Sequence, residues 1–143
     1  MTQLTTRQNI LTEFLERVWS SGEIDQCDRF LAESYTIRHD PGDPWDGLTL
    51  DLARFKERVR LSREPFPDQR FELQEWFEND DSIAVTWLWS ATHLGDIPGF
   101  PASGKSLKMS GATVYQFDDA NRISGHWQVT DRLGIFRQLQ QAR

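Results

Sequence analysis

Three ionisable residues end segments that alternate like β-strands, and each follows apolar or aromatic side chains on its own face. From Tyr35 to His39, the residues Tyr35, Ile37 and His39 share a face. From Ile83 to His93, a face carries Val85, Trp87, Trp89, Ala91 and His93. From Ile123 to Asp131, a face carries Ile123, Trp127, Val129 and Asp131. Strand side chains alternate with a period of two, so an inward turn of all three faces projects two imidazoles and a carboxylate into one cavity. Its walls would be Tyr35, Trp87, Trp89 and Trp127. A carboxylate desolvated beside Trp127 has a raised pKa, which suits proton transfer near neutral pH. Imidazole needs little perturbation for the same work. The pattern predicts acid/base chemistry on a small apolar or aromatic carbonyl compound. Asp131 removes a proton next to the carbonyl, and His93 or His39 polarises the oxygen or returns the proton. Apolar walls hold the ligand body while a few polar groups orient it. No nucleophile or cofactor is then needed.

Each candidate has a plainer reading beside it. Asp131 precedes Arg132-Leu133-Gly134, so it can cap a closing helix or pair with Arg132 or Arg137. His93 opens a loop rich in Gly and Pro and can bond backbone there, and His39 stands before a Pro/Gly turn. His126 alternates away from Trp127 and reads as surface or subunit contact. Glu75 is a second inward carboxylate if the face of Phe71, Leu73 and Phe77 is the inner one, whereas the other alternation turns Trp76 inward.

The elements that must position these residues follow from periodicity. Ile10, Leu11, Phe14, Leu15, Val18 and Trp19 form a helical stripe, with Thr5 or Thr6 to cap it and Ser21-Gly22 to end it. Asp25 can cap a short second helix carrying Phe30 and Leu31. Leu48, Leu52, Phe55 and Val59 mark a third helix that stops before Pro65 and Pro67. After Asp68 the period becomes two: strands run over Phe71 to Phe77, Ile83 to His93, about Leu107 to Phe117, and Ile123 to Asp131. The tail from Leu133 to Leu139 is a closing helix or an edge strand. Helices followed by a meander predict an α+β fold, a curved antiparallel sheet packed with helices around an apolar pocket.

Composition narrows the function classes. A chain of 143 residues with 38% hydrophobic and 27% charged residues suits one domain, 1–143, with one core. Six Trp and nine Phe require a large core or an aromatic-lined cavity. The net charge of -6 disfavours nucleic acid and anionic membranes, which are bound through Lys and Arg. One cysteine precludes an internal disulfide, and no Cys/His spacing matches a zinc site. With no signal-like or spanning segment, the expected address is the cytoplasm.

Several short motifs, in order, resemble the SnoaL-like polyketide cyclases. They are Asp25 with Phe30-Leu31-Ala32, then Tyr35 and His39; Phe66-Pro67-Asp68; Trp89 through Thr92-His93-Leu94-Gly95; Pro101 through Gly104-Lys105; and Trp127 with Asp131, Gly134 and Gln138-Leu139. Ala91 stands where that family usually has Gly. The resemblance implies the cone-shaped fold of nuclear transport factor 2-like proteins, with no metal and no cofactor. It implies that Asp131 is the acid/base of an intramolecular aldol closure, assisted by His93, or of a related isomerase or lyase step. Family membership alone does not fix the reaction. A non-catalytic module that binds an apolar metabolite is the alternative. Epoxide hydrolysis would need an Asp-Arg-Asp set, which these strands do not assemble. A homodimer is expected through the outer sheet face, read as His126, Gln128 and Thr130 with Leu88 and Ala84.

Overall fold

A capping box starts the first helix: Thr5 Oγ1 accepts from the Gln8 backbone N–H at 3.1 Å, and Gln8 Oε1 accepts from Thr5 N–H at 3.2 Å. The structure, a computed structural model, describes residues 3–141. Helix α1 (Thr6–Phe14) runs on as a π-helical turn, Leu15–Ser20, and buries Leu11, Phe14, Leu15 and Val18. A 3-10 turn, Ile24–Gln26, leads into the short α2 (Cys27–Phe30). Helix α3 (Leu52–Arg63) is capped by Asp51, which accepts from Arg54 N–H at 2.8 Å. It therefore begins later than the apolar residue Leu48 suggested. Helix α4 (Arg132–Gln140) closes the described chain, which settles the tail as helix.

Six strands form a curved, unclosed sheet: β1 (Leu31–His39), β2 (Thr49–Leu50), β3 (Arg70–Glu78), β4 (Ser82–Thr92), β5 (Ser106–Phe117) and β6 (Ile123–Thr130). Their spatial order is β2-β1-β6-β5-β4-β3. The sheet is not wholly antiparallel, because β1 and β6 pair in parallel. Helices α1 and α3 cover one face, and the buried apolar side chains form one cluster there. On β4 the inner residues are Ile83, Val85, Trp87, Trp89 and Ala91, in unbroken alternation.

Three one-residue bulges, besides a longer shift between Leu31 and Thr36 on β1, break that alternation elsewhere. Gln116 pairs with Gly125 and Phe117 with Ile123, so Ser124 is an extra residue on β6. Ile37 pairs with His126 and His39 with Trp127, so Arg38 is extra on β1. Leu73 pairs with Trp87 and Glu75 with Thr86, so Gln74 is extra on β3. One extra residue exchanges the faces of every side chain beyond it. β1 and β6 lie close at the first bulge: a Cβ on Gly125 would stand 2.5 Å from the Thr36 carbonyl oxygen.

Candidate active site

Between the helices and the inner sheet face lies a cavity of about 530 Å³. Trp19, Phe66, Phe71, Trp87, Trp89 and Tyr115 wall it. The two strand indoles have their N–H groups occupied: Trp87 Nε1 donates to Thr113 Oγ1 at 2.8 Å, and Trp89 Nε1 to Gln69 Oε1 at 3.2 Å. What remains toward the cavity is apolar ring surface, suited to a flat hydrocarbon body. Trp45, Ile97, Pro98 and Phe136 also contribute to the lining, with Phe100 behind Phe136 at 5.7 Å between ring centroids.

One polar cluster interrupts these walls, and the bulges create it. Beyond Ser124 the inner residues of β6 are His126, Gln128 and Thr130, all of which line the cavity. Beyond Arg38 the inward residue is Asp40, which is wholly buried. Asp40 Oδ2 accepts from His126 Nε2 at 3.0 Å, Gln128 Nε2 at 3.0 Å and Arg58 Nη2 at 3.3 Å, while Oδ1 accepts from Arg132 Nη2 at 3.2 Å. Arg58 also donates to Asp43 Oδ2 at 3.1 Å. Its guanidinium lies 5.2 Å from the centroid of the Trp19 ring. Two carboxylates thus face two guanidiniums, and each cation is already paired. On the other side of the imidazole, Tyr35 Oη lies 2.6 Å from His126 Nδ1.

These contacts set the protonation states. Burial pushes Asp40 upward, but the His126 hydrogen bond, followed by the charges of His126, Arg58 and Arg132, outweighs it and holds the carboxyl below its ordinary value. Burial pushes His126 downward, and Arg58 adds to this against the opposing pull of Asp40. Asp40 is therefore the anion and His126 the neutral imidazole. An ionised Asp40 can only accept, so the His126 proton sits on Nε2 and the Nδ1 lone pair receives the Tyr35 hydroxyl. Burial, with Tyr115 nearby, raises the Tyr35 phenol well above its usual value, so it stays a donor.

The residues read from the sequence divide. Tyr35, Trp87 and Trp89 line the cavity. Trp127 and His39 do not: the bulges turn both outward, where their rings stack at 4.4 Å and Trp127 is 44% exposed. Asp131 is exposed and caps α4, its Oδ1 accepting from Gly134 N–H at 2.9 Å. That is its plainer reading, and it lies on the far side of the sheet from His126. His93 is wholly buried outside the cavity lining, with Nδ1 2.9 Å from Ser103 Oγ and its ring 5.8 Å from Phe66. Glu75 pairs opposite Thr86 on the outer face, and Trp76 takes the inner one opposite Val85. His126, read as surface, is 3% exposed.

Asp40, Arg58, Gln128 and His126 were not among the sequence candidates. One signal was present: Arg58 falls on the apolar stripe of α3, beside Phe55 and Val59. A charge at such a position needs a buried counter-charge, and the Asp40 to Asp43 turn holds two carboxylates.

The description "SnoaL-like polyketide cyclase" belongs to a family model that matches residues 9–139. A crystal structure from Acidithiobacillus ferrooxidans, provisionally named a polyketide cyclase, is 55% identical over 100% of both chains, with a TM-score of 0.95. TsrD from Streptomyces laurentii is 23% identical over 96% of this chain and 98% of its own, with a TM-score of 0.77. A SnoaL-like polyketide cyclase from Agrobacterium tumefaciens is 21% identical over 95% and 99%, with a TM-score of 0.73. The last two share the fold. No curated protein matches the chain. The match across nearly the whole chain, with the cone-shaped sheet and its walled cavity, makes this protein a member of the SnoaL-like polyketide cyclase family.

Proposed function

We propose that the protein is a cofactor-independent acid/base enzyme that closes or isomerises a small, uncharged, aromatic or apolar carbonyl compound, with His126 as the base. The observation that carries this reading is the Asp40–His126–Tyr35 chain, set as the polar break in an aromatic cavity. His126 Nδ1 takes a proton from a carbon flanked by carbonyls. The Tyr35 hydroxyl, displaced from Nδ1, turns to donate to the enolate oxygen. Asp40 steadies the imidazolium through Nε2–H. In an aldol closure the enolate carbon then attacks a second carbonyl carbon, and the new alkoxide takes the proton back from Nδ1. One proton shuttles and none is consumed, so the reaction needs no redox partner. Arg58 and Arg132 are spent on Asp40 and Asp43, which leaves no free cation among the described cavity residues for an anionic ligand and favours a neutral one.

A panel of neutral aromatic β-dicarbonyl probes in heavy water tests this by exchange of the carbon-bound proton and by ring closure. His126→Gln should lower exchange by roughly 10²–10⁴ while probe binding, followed by tryptophan fluorescence, persists. Full exchange in that variant removes His126 from the chemistry. Tight binding with no exchange in the unaltered protein favours the binding-module reading.

An epoxide hydrolase is a second reading, because Asp43, Arg58 and Asp40 form an Asp-Arg-Asp set after all. Four N–H donors already occupy Asp40, so Asp43 would have to activate the water. Turnover of an epoxide that survives His126→Gln but not Asp43→Asn would support it.

We further propose a homodimer through the outer sheet face. Trp127, Val129, Leu88 and Phe77 are exposed there, and the face is more apolar than the alternation had suggested, since His126, Gln128 and Thr130 turn inward.

A further inference from the structure

A hydrogen-bond chain runs from the cavity wall to the carboxylate behind the base. Trp87 Nε1–H donates to Thr113 Oγ1 at 2.8 Å, Thr113 donates to Gln128 Oε1 at 2.6 Å, and Gln128 Nε2 donates to Asp40 Oδ2 at 3.0 Å. The polarity of the chain is forced from its first member. An indole N–H can only donate. Thr113 must therefore accept from Trp87, which leaves its single hydrogen for Gln128. That hydrogen fixes the amide with its oxygen toward Thr113 and its NH₂ toward Asp40. The far end demands the same orientation, because Asp40 is an acceptor fixed by Arg58 and Arg132. Thr113 and Trp87 are buried, so water does not substitute for either link.

The chain ends on the oxygen that also receives His126 Nε2–H. We propose, resting on the reading of His126 as the base, that Thr113 and Gln128 are positioning residues: they lock a further N–H onto Asp40 Oδ2, beside those of His126 and Arg58, which divides the charge available to His126 and keeps the imidazole neutral with its Nδ1 lone pair toward the Tyr35 hydroxyl at the cavity wall. Other groups also face His126, and of these Asp40 is the last link of the chain. They are Tyr35 on β1, Tyr115 on β5, Arg58 on α3, Arg132 on α4, and Asp40 and Asp43 in the turn after β1. Trp87 thereby has a second task besides walling the cavity, since its N–H sets the direction of every later link.

The test is nuclear magnetic resonance of the His126 ring in the whole protein without substrate. It reads the ¹⁵N tautomer and the titration midpoint, neither of which a purely structural hydroxyl would move. Thr113→Val removes the hydrogen that holds Gln128, and Gln128→Met removes the N–H on Asp40 while leaving Thr113 to accept from Trp87. In both, the His126 midpoint should rise by roughly half a pH unit or more, because Asp40 is then shared with fewer donors. Thr113→Ser keeps the hydroxyl and should titrate as the unaltered protein does. If Thr113→Val does not fold, Gln128→Met carries the test alone. A midpoint that stays in place or falls in a folded Val or Met variant overturns the proposal. Because the readout needs no substrate, it stands or fails separately from the carbonyl chemistry.

Discussion

Asp40→Asn separates a carboxylate that holds the site together from one that merely fills a turn. The substitution keeps the shape and removes the charge. Asp40 is wholly buried and accepts from four side chains, Arg58, His126, Gln128 and Arg132. An Asn there turns its NH₂ toward at least one of those donors. Arg58, only 5% exposed, loses one of its two carboxylates and keeps Asp43 at 3.1 Å. Removing one partner of a buried ion pair costs roughly 3–5 kcal/mol, and the surviving Asp43 contact places this case near the low end, about 3 kcal/mol. For a domain of this size that is on the order of 10 °C in melting temperature. Turnover should fall with it, since the imidazolium loses its counter-charge.

The pH dependence supplies the sharper check. The folded-state pKa of Asp40 is depressed below its ordinary 3.8. Its contribution is therefore complete above the unfolded-state value and is lost as pH falls through the lower folded-state value. The melting temperatures of the unaltered protein and the Asp40→Asn variant should differ by a constant amount near neutrality and converge only in acid, below 3.8. A calorimetric series over pH measures both quantities. A difference under about 1 kcal/mol at neutral pH, or one that does not shrink in acid, refutes the account of Asp40 as the ionised hub.

Two more outcomes bear on the other side of the sheet. Asp131→Ala should lose on the order of 0.5–2 kcal/mol of stability through the α4 cap and leave turnover intact, and Asp131→Asn should keep most of the cap; a selective loss of turnover in Asp131→Asn at unchanged stability would return Asp131 to the mechanism. Trp127→Glu places a charge in the proposed dimer face, so light scattering should move from twice the chain mass toward 16.7 kDa. An unaltered protein that already scatters as 16.7 kDa at micromolar concentration rejects the dimer.

Most of the architecture was legible in the sequence because it rests on period and punctuation. The stripe of α1, the proline stop after α3 and the alternation of β4 each follow from local chemistry. On β4, which carries no bulge, the face assignment holds from Ile83 to Ala91. The parallel pairing of β1 with β6 was not legible, since it joins segments far apart in the chain and no local signal marks it. The tail helix was left open for the opposite reason: Asp131 and Gly134 were in plain view, but a cap is only certain once its backbone partner is placed. That partner is demanding, since a Cβ on Gly134 would stand 2.3 Å from Asp131 Oδ2.

The face exchanges on β1 and β6 have a single physical cause. On β1 and β6 the alternation was carried through positions where the strands insert Arg38 and Ser124. Each insertion exchanges inside for outside, so His39 and Trp127 moved to the outer face while Asp40 and His126 took their places within. Two regular strands would have lined this part of the cavity with a Trp ring, and the buried charge of Arg58 would have had no carboxylate from the end of β1 to meet. The bulges also lie on neighbouring strands, and the register between them brings His126 opposite Ile37, three residues before Asp40. An imidazole and a carboxylate can then stand 3.0 Å apart in a wall that is otherwise aromatic. Irregular pairing here is what admits polar chemistry to an apolar sheet. It follows that deleting Ser124, which keeps every side chain of the cluster, would dismantle the site by turning His126 outward.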